Sequence, residues 1–279
     1  MQDKNASRTA LVTAYLRAAH QILDQGPPVF IDPIALTILG AGVEERILGA
    51  QDKYMSPKAR ALRAHVVLRS RYAEDRLESS IVRGISQYIL VGAGFDTFAL
   101  RQPPWATGLI IFEVDHPDTQ REKQSRISNA GIIVPGNVVF VGVNFEQESL
   151  EEGLVRSGVK TDKKTFFSWL GVTMYLTEAA IDSTLRYMTS FPSGSEAVVS
   201  FLQTPTVQSL ASQEMAKGVS EAGEPFISSF TCESFKEKLI TEGFRNVHFL
   251  TQDLSAPFFP ENESSLSNPH RVSIVSAVV

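Results

Sequence analysis

Gly92 and Gly94 follow the apolar run Tyr88 to Val91, and a carboxylate, Asp115, comes about 20 residues later. Glycines directly after a short buried strand let the backbone turn tightly against a ligand, because no Cβ limits φ or blocks approach. A carboxylate ending the run Ile111-Phe112-Glu113-Val114-Asp115 can accept both hydroxyls of a ribose. The chemistry implied is nucleoside binding, with Gly92, Ala93 and Gly94 as the cradle. A dinucleotide fingerprint would place a third glycine at position 97; the chain has Thr97 there and an acid at Asp96, which favours S-adenosylmethionine over NAD. Each feature has a plainer reading. Gly-x-Gly alone fits a strand-to-helix turn, and Asp115, before His116-Pro117, fits the cap of the next helix. Glu113 shares the face of Asp115 by alternation, but Asp115 lies nearer the strand's end.

Three more positions could carry chemistry. Asn144 and Phe145 stand where a third strand ends: the amide oxygen can accept from an adenine amino group and the ring can cover the adenine face, or the pair is a loop amide beside a core ring. After a fourth strand, Leu170-Gly171-Val172-Thr173-Met174-Tyr175-Leu176 supplies a glycine for close approach and offers Thr173 and Tyr175 to a substrate, or to packing. The third is a conflict of pattern. On a long helix, Leu62, Val66, Arg69 and Ala73 share one stripe at about 100° per residue, so Arg69 stands where an apolar residue belongs. It needs an anion: an acidic side chain, a buried carbonyl or the carboxylate of a cofactor. Arg71 points to the opposite, solvated side.

The elements that must position these residues follow a clear order. Residues 6 to 24 are helical up to Gly26-Pro27-Pro28, a short helix follows over 33 to 39, and residues 1 to 55 form a helical cap with no strand. Ser56-Pro57 opens the long helix, which runs to about Val82. Strands are expected at 87–91, 108–115, 138–143, 165–169 and 196–202, with helices near 95–101, 117–130, 147–157 and 177–190. Such alternation predicts an α/β fold: a doubly wound, mostly parallel sheet covered on both faces. A polar segment, 203–230, interrupts it on the substrate side; a helix at 232–242 and strands at 245–251 and 271–279 complete seven strands, the late two antiparallel at the sheet edge.

Composition narrows the class. The 279 residues are 43% hydrophobic and 20% charged with a net charge of −5, which suits one large core and shows no basic footprint for nucleic acid. A single cysteine, Cys232, allows no internal disulfide and no multi-thiolate metal site. No segment approaches about 20 apolar residues, so the expectation is a cytoplasmic, soluble protein off the membrane. None of the histidines, His20, His65, His116, His248 and His270, stands in a catalytic spacing, and neither Gly-x-Ser-x-Gly nor a metal-ligand cluster occurs.

The order Ser7-x-Thr9-Ala10, Asp32-Pro33, Arg69-x-Arg71, Gln87, Val91-Gly92-Ala93-Gly94-x-Asp96-Thr97, Arg101, Glu113-Val114-Asp115-His116-Pro117, Lys123 and Gly171-Val172-x-x-Tyr175-Leu176 resembles the leucine carboxyl methyltransferase family. It is most similar to the bacterial branch of class I S-adenosylmethionine-dependent O-methyltransferases. The resemblance spans residues 7 to about 202. It implies a Rossmann-like methyltransferase domain over 56–279 under the 1–55 cap, with Gly92, Ala93 and Gly94 against the methionyl part of the cofactor, Arg69 on its carboxylate, Asp115 on the ribose, Asp96 ordering the loop, and His116, Asn144, Phe145 and Leu170 lining the rest. Two positions depart from the pattern: Asn144 replaces an aspartate and Leu170 replaces a glutamate. The activity implied is methyl transfer to a carboxyl or hydroxyl oxygen of a small molecule. Alternatives are methylation of a protein's C-terminal carboxylate, cofactor binding without catalysis, and an NAD-dependent oxidoreductase.

Overall fold

A computed structural model of the chain describes residues 7–145, 147–204, 225–260, 264–269 and 273–279. The cap opens with α1 (Arg8–Leu23), whose N-cap Ser7 accepts from the Ala10 N–H. Where a helix over 33–39 is expected, only a 3-10 turn at Thr37–Leu39 forms; Gly40, at φ +89°, ends it. Two short helices not expected follow, α2 (Val43–Gly49) and α3 (Gln51–Met55). Ser56 then caps α4 (Pro57–Ile81), with proline at its first position as the sequence predicts.

The sheet is built from β1 (Gln87–Val91), α5 (Phe98–Arg101), β2 (Ile110–Asp115), α6 (Pro117–Asn129), β3 (Val138–Gly142), α7 (Leu150–Arg156), β4 (Thr165–Trp169), α8 (Glu178–Thr189) and β5 (Glu196–Ser200). Next come α9 (Cys232–Thr241), β6 (Arg245–Phe249), α10 (Gln252–Ser255) and β7 (Ile274–Val278). Strand order is β3-β2-β1-β4-β5-β7-β6. Pairs among β1 to β5 are parallel, and β7 runs antiparallel to both β5 and β6. The late antiparallel pair is therefore present, with β7 on its inner side and β6 at the edge. The helix expected from 95 starts only at Phe98, because the Asp96 carboxylate accepts the Phe98 N–H and holds Phe95 to Thr97 in a turn. Residues 205–224 of the 203–230 segment lie outside the described residues.

Both sheet faces are apolar, so the strands read as continuous hydrophobic runs. Ile89, Val91, Phe112, Val114, Phe167 and Trp169 face α7, α8 and α9. Tyr88, Leu90, Ile111, Phe166 and Val198 face α4 and α5. Each buried side chain of this size stabilises the fold by about 1.5–3 kcal/mol. A third cluster joins the cap (Ala14, Ala18, Ile38, Val43) to Phe95 and Leu100, next to the glycine loop. Among the described residues no helix is long and apolar enough to cross a membrane, and no group of histidine, cysteine and carboxylate side chains could hold a metal.

Candidate functional site

Strand register brings the singled-out residues to one edge. Val91 pairs with Val114, Asp115 with Gly142, and Leu90 with Ser168. The glycine loop, Asp115, Asn144 and Leu170 thus leave the carboxyl ends of β1, β2, β3 and β4 side by side. The chain order reverses between β1 and β4, which is where open α/β sheets bind ligands.

The glycine loop is held by hydrogen bonds. The N–H groups of Gly92 and Ala93 both donate to the Val114 carbonyl, at 2.8 and 2.9 Å. Gly92 has φ +70°, and a Cβ there would come within 2.2 Å of Val172 Cγ2, so this glycine is required by the β4 loop packed on it. The Gly94 N–H donates to Asp115 Oδ2 at 2.6 Å and the His116 N–H to Asp115 Oδ1 at 2.7 Å. Each carboxylate oxygen keeps a free acceptor position, so the pair of ribose hydroxyls expected of Asp115 can still be taken. Burial pushes the Asp115 carboxyl up, and the two N–H groups oppose that shift. Glu113, one alternation back, is committed elsewhere: Lys123 Nζ lies 2.5 Å from its Oε2 with both side chains buried.

Arg69 is the unbalanced charge of the site. It projects from α4 against Gly171, whose φ is +77°; a Cβ on Gly171 would lie 2.6 Å from Arg69 Nη1. Among the described residues its guanidinium has no hydrogen bond or ion pair. Burial lowers its pKa to about 10, with Arg17 adding to the shift and Tyr175 and Asp96 opposing it. Arg71, by contrast, is paired with Asp75 at 2.7 Å on the exposed side. Of the two arginines, the one on the apolar stripe is therefore the one turned toward the β4 loop.

The remaining residues divide by role. Asp96 accepts the Phe98 N–H at 2.8 Å, a bond within the loop that follows the glycines. The His116 ring caps α6 by accepting from the Asp118 N–H at 3.3 Å, and its backbone N–H serves Asp115. Asn144 and Phe145 are half-buried beside the β3 end, where Phe145 packs on the core and edges a cavity of about 310 Å³. Leu170 packs against the buried cluster on the α4 side of the sheet, an apolar contact where the family pattern has a charge. Thr173 does not face a substrate space. It is fully buried and its hydroxyl donates to the Ser200 carbonyl at 3.0 Å, while Ser200 Oγ accepts the Gly171 N–H at 2.8 Å, so both residues pin the β4 loop. Tyr175, half-buried, lies beside Phe226 with ring centroids 5.7 Å apart.

Sequence reasoning passed over Arg17 and gave Asp32 no role. Asp32 accepts from Thr97 Oγ1 at 2.7 Å and faces Arg17 Nε at 3.4 Å. Arg17 shares a helical stripe with Ala10 and Ala14, the same conflict that exposed Arg69, so the signal was available.

Comparison with known proteins agrees with this fold. A Thermobifida fusca YX protein, provisionally described as a methyltransferase, has the same fold with a TM-score of 0.59 at 15% identity, over 99% of this chain and 96% of its own. A DUF574 family protein from Streptomyces avermitilis MA-4680 superposes with a TM-score of 0.56 at 13% identity, over 98% of this chain and 97% of its own. In sequence, Bacillus subtilis (strain 168) YktD, provisionally named an S-adenosyl-L-methionine-dependent methyltransferase, is 30% identical over 304 residues, covering 100% of this chain and 99% of YktD. The family pattern of leucine carboxyl methyltransferase matches residues 10–189. The protein is an S-adenosylmethionine-dependent methyltransferase, and S-adenosylmethionine is its cofactor. The chain belongs to the leucine carboxyl methyltransferase family.

Proposed function

We propose that the protein is a cytoplasmic O-methyltransferase that transfers the methyl group of S-adenosylmethionine to a carboxyl or hydroxyl oxygen of a small molecule. The observation that carries the reading is Arg69: a half-buried guanidinium without a partner among the described residues, packed against Gly171 at the end of β4 and near a carboxylate with acceptor positions to spare. These residues fit the cofactor. Arg69 would take its carboxylate, the Gly92–Gly94 backbone its methionyl chain, Asp115 its ribose, and Asn144 with Phe145 its adenine. When bound, S-adenosylmethionine supplies an electrophilic methyl group on a sulfonium.

The chain's own task is then alignment and exclusion of water, with the acceptor oxygen brought to about 3 Å from the reacting carbon. Tyr175 and Phe226, with ring centroids 5.7 Å apart, put an apolar pair beside the β4 loop. Ile227 and Ser228, donating to the Met174 carbonyl at 2.7 and 3.3 Å, fasten the end of the 203–230 segment to the Tyr175 loop, which supports a substrate-side role for that segment. No residue is assigned as general base; a carboxylate acceptor is ionised at neutral pH and needs none. A cap over residues 1–55 and a methyltransferase domain over 56–279 remain the proposed division. Loss of the family glutamate at Leu170 favours a small acceptor over a protein C-terminus, and keeps cofactor binding without catalysis as the second reading.

The test is a thermal shift with S-adenosylmethionine, S-adenosylhomocysteine, NAD and NADP on wild type and Asp115→Ala. A ligand at about 100 times its dissociation constant adds about 2.7 kcal/mol, a rise of roughly 5–10 °C. The expected result is a shift with the adenosyl compounds alone, weakened in Asp115→Ala. Acceptor screening then reads the product: a methyl ester is cleaved by mild base and a methyl ether is not. Bound cofactor that turns over with no acceptor would support the binding-protein reading.

A further inference from the structure

Asp32 and Thr97 belong to different bodies, the cap and the glycine loop, yet the Thr97 hydroxyl donates to Asp32 Oδ2 at 2.7 Å. The Asp32 side chain is buried. Arg17 Nε stands 3.4 Å from Oδ2, Arg101 Nε 3.7 Å from Oδ1, and the Ile34 N–H donates to Oδ1 at 3.2 Å. Arg17 also donates through Nη2 to the carbonyl of Phe95. Arg101 reaches Thr97 Oγ1 at 3.1 Å and closes on Glu74 of the long helix at 3.0 Å. Within the four residues Gly94 to Thr97, two are therefore held by cap side chains. A Cβ on Gly94 would itself come within 3.1 Å of the Ala10 Cβ in α1.

We propose that Asp32 is a positioning residue for the cofactor loop: by holding Thr97 and Arg17 it fixes the Gly94–Thr97 backbone and couples order in the cap to affinity for the cofactor. The inference rests on the cofactor reading above. A buried carboxylate has to be met by donors, and these donors come from both bodies, so parting the cap from the loop strands Asp32 and Arg17 at once. The Gly94 N–H carries the constraint on to Asp115 Oδ2, the ribose carboxylate. Coupling of this kind is reciprocal: a ligand that favours the loop's geometry must steady the cap. It also gives the departure at position 97 a reason, since glycine has no hydroxyl to offer Asp32.

The experiment uses the full chain: calorimetric titration with S-adenosylhomocysteine, and hydrogen exchange over residues 8–23 without ligand, for wild type, Thr97→Val, Thr97→Ser and Asp32→Asn. Thr97→Val should weaken binding about tenfold and speed exchange in α1, the size expected for a hydrogen bond to a charged group. Thr97→Ser, which keeps the hydroxyl, should restore both; Asp32→Asn, which keeps the shape and loses the charge, should behave like Thr97→Val and replaces it if that variant does not fold. Wild-type affinity in the folded Thr97→Val or Asp32→Asn protein, or a serine variant no better than valine, overturns the proposal. If wild type binds no S-adenosylhomocysteine, the cofactor reading has failed, and exchange still decides whether cap and loop are linked: faster with valine and recovered with serine supports the linkage, unchanged overturns it.

Discussion

The Arg69 guanidinium occupies the space that a side chain on Gly171 would need, 2.6 Å from where its Cβ would stand. Gly171→Ala should therefore displace Arg69 and, at φ +77°, strain the β4 loop. Arg69→Met separates the two effects. It should weaken S-adenosylhomocysteine at least tenfold, by loss of a charged hydrogen bond worth about 1.5–3 kcal/mol, while the unliganded protein melts no lower than wild type because an unpaired, desolvated cation is gone. A clear fall in the unliganded melting temperature would show that Arg69 has a structural partner.

A second interlock lies at Gly92, where a Cβ would come within 2.2 Å of Val172 Cγ2 and φ is +70°. Gly92→Ala should cost about 2–5 kcal/mol, combining overpacking with left-handed backbone strain. Adding Val172→Ala should recover the packing share and leave about 1–2 kcal/mol of strain. Denaturant titration of the three variants measures both shares, and no recovery in the double variant would refute the interlock.

The Glu113–Lys123 pair is sealed on all sides, and Glu113 Oε1 has no hydrogen-bond partner among the described residues. Burial pushes the Glu113 carboxyl up and Lys123 holds it down. Lys123→Met should destabilise the protein by about 3–5 kcal/mol by stranding the carboxylate. Glu113→Leu combined with Lys123→Met should return most of that loss, measured by urea unfolding.

His65 sets an acid limit. Burial, with the Arg69 charge adding, lowers its pKa to about 3. An unfolded histidine titrates near 6.5, so between the two values the unfolded chain binds a proton that the folded one does not. Its contribution to stability is complete above about pH 6.5 and is lost as pH falls toward 3, reaching about 2 kcal/mol at pH 5. His65→Gln should narrow the gap between urea stabilities at pH 7 and pH 5 by about that amount; an unchanged gap would place the ring in water.

What the sequence disclosed and what it hid follow from the range of the interactions. The place of Asp115 at the end of β2 was legible because a strand end and a preceding glycine turn fix its spacing, and the inward turn of Arg69 because one charged residue broke an apolar stripe. Gly94 was read for the ligand, yet its N–H also holds Asp115, a contact across 21 residues that no local pattern carries. Thr173 was offered to a substrate beside Tyr175, whereas its buried hydroxyl is taken by the carbonyl of Ser200, a partner on β5 that local sequence does not reveal. Asp32–Thr97 spans 65 residues and depends on how the cap docks. The place of β7 inside the late pair was equally hidden, since two strands without a crossover helix can sit in either order.

That placement bears on how the molecule is made. Among the described strands β6 pairs only with β7, which follows it in the chain, and β5 takes β7 as its second neighbour. During synthesis β6 leaves the ribosome before any strand exists to receive it, and the flank of β5 stays open until residues 274–278 arrive. The nascent chain thus carries an unpaired, buried-type edge until β7 is made, an interval in which such an edge is exposed to pairing with another chain.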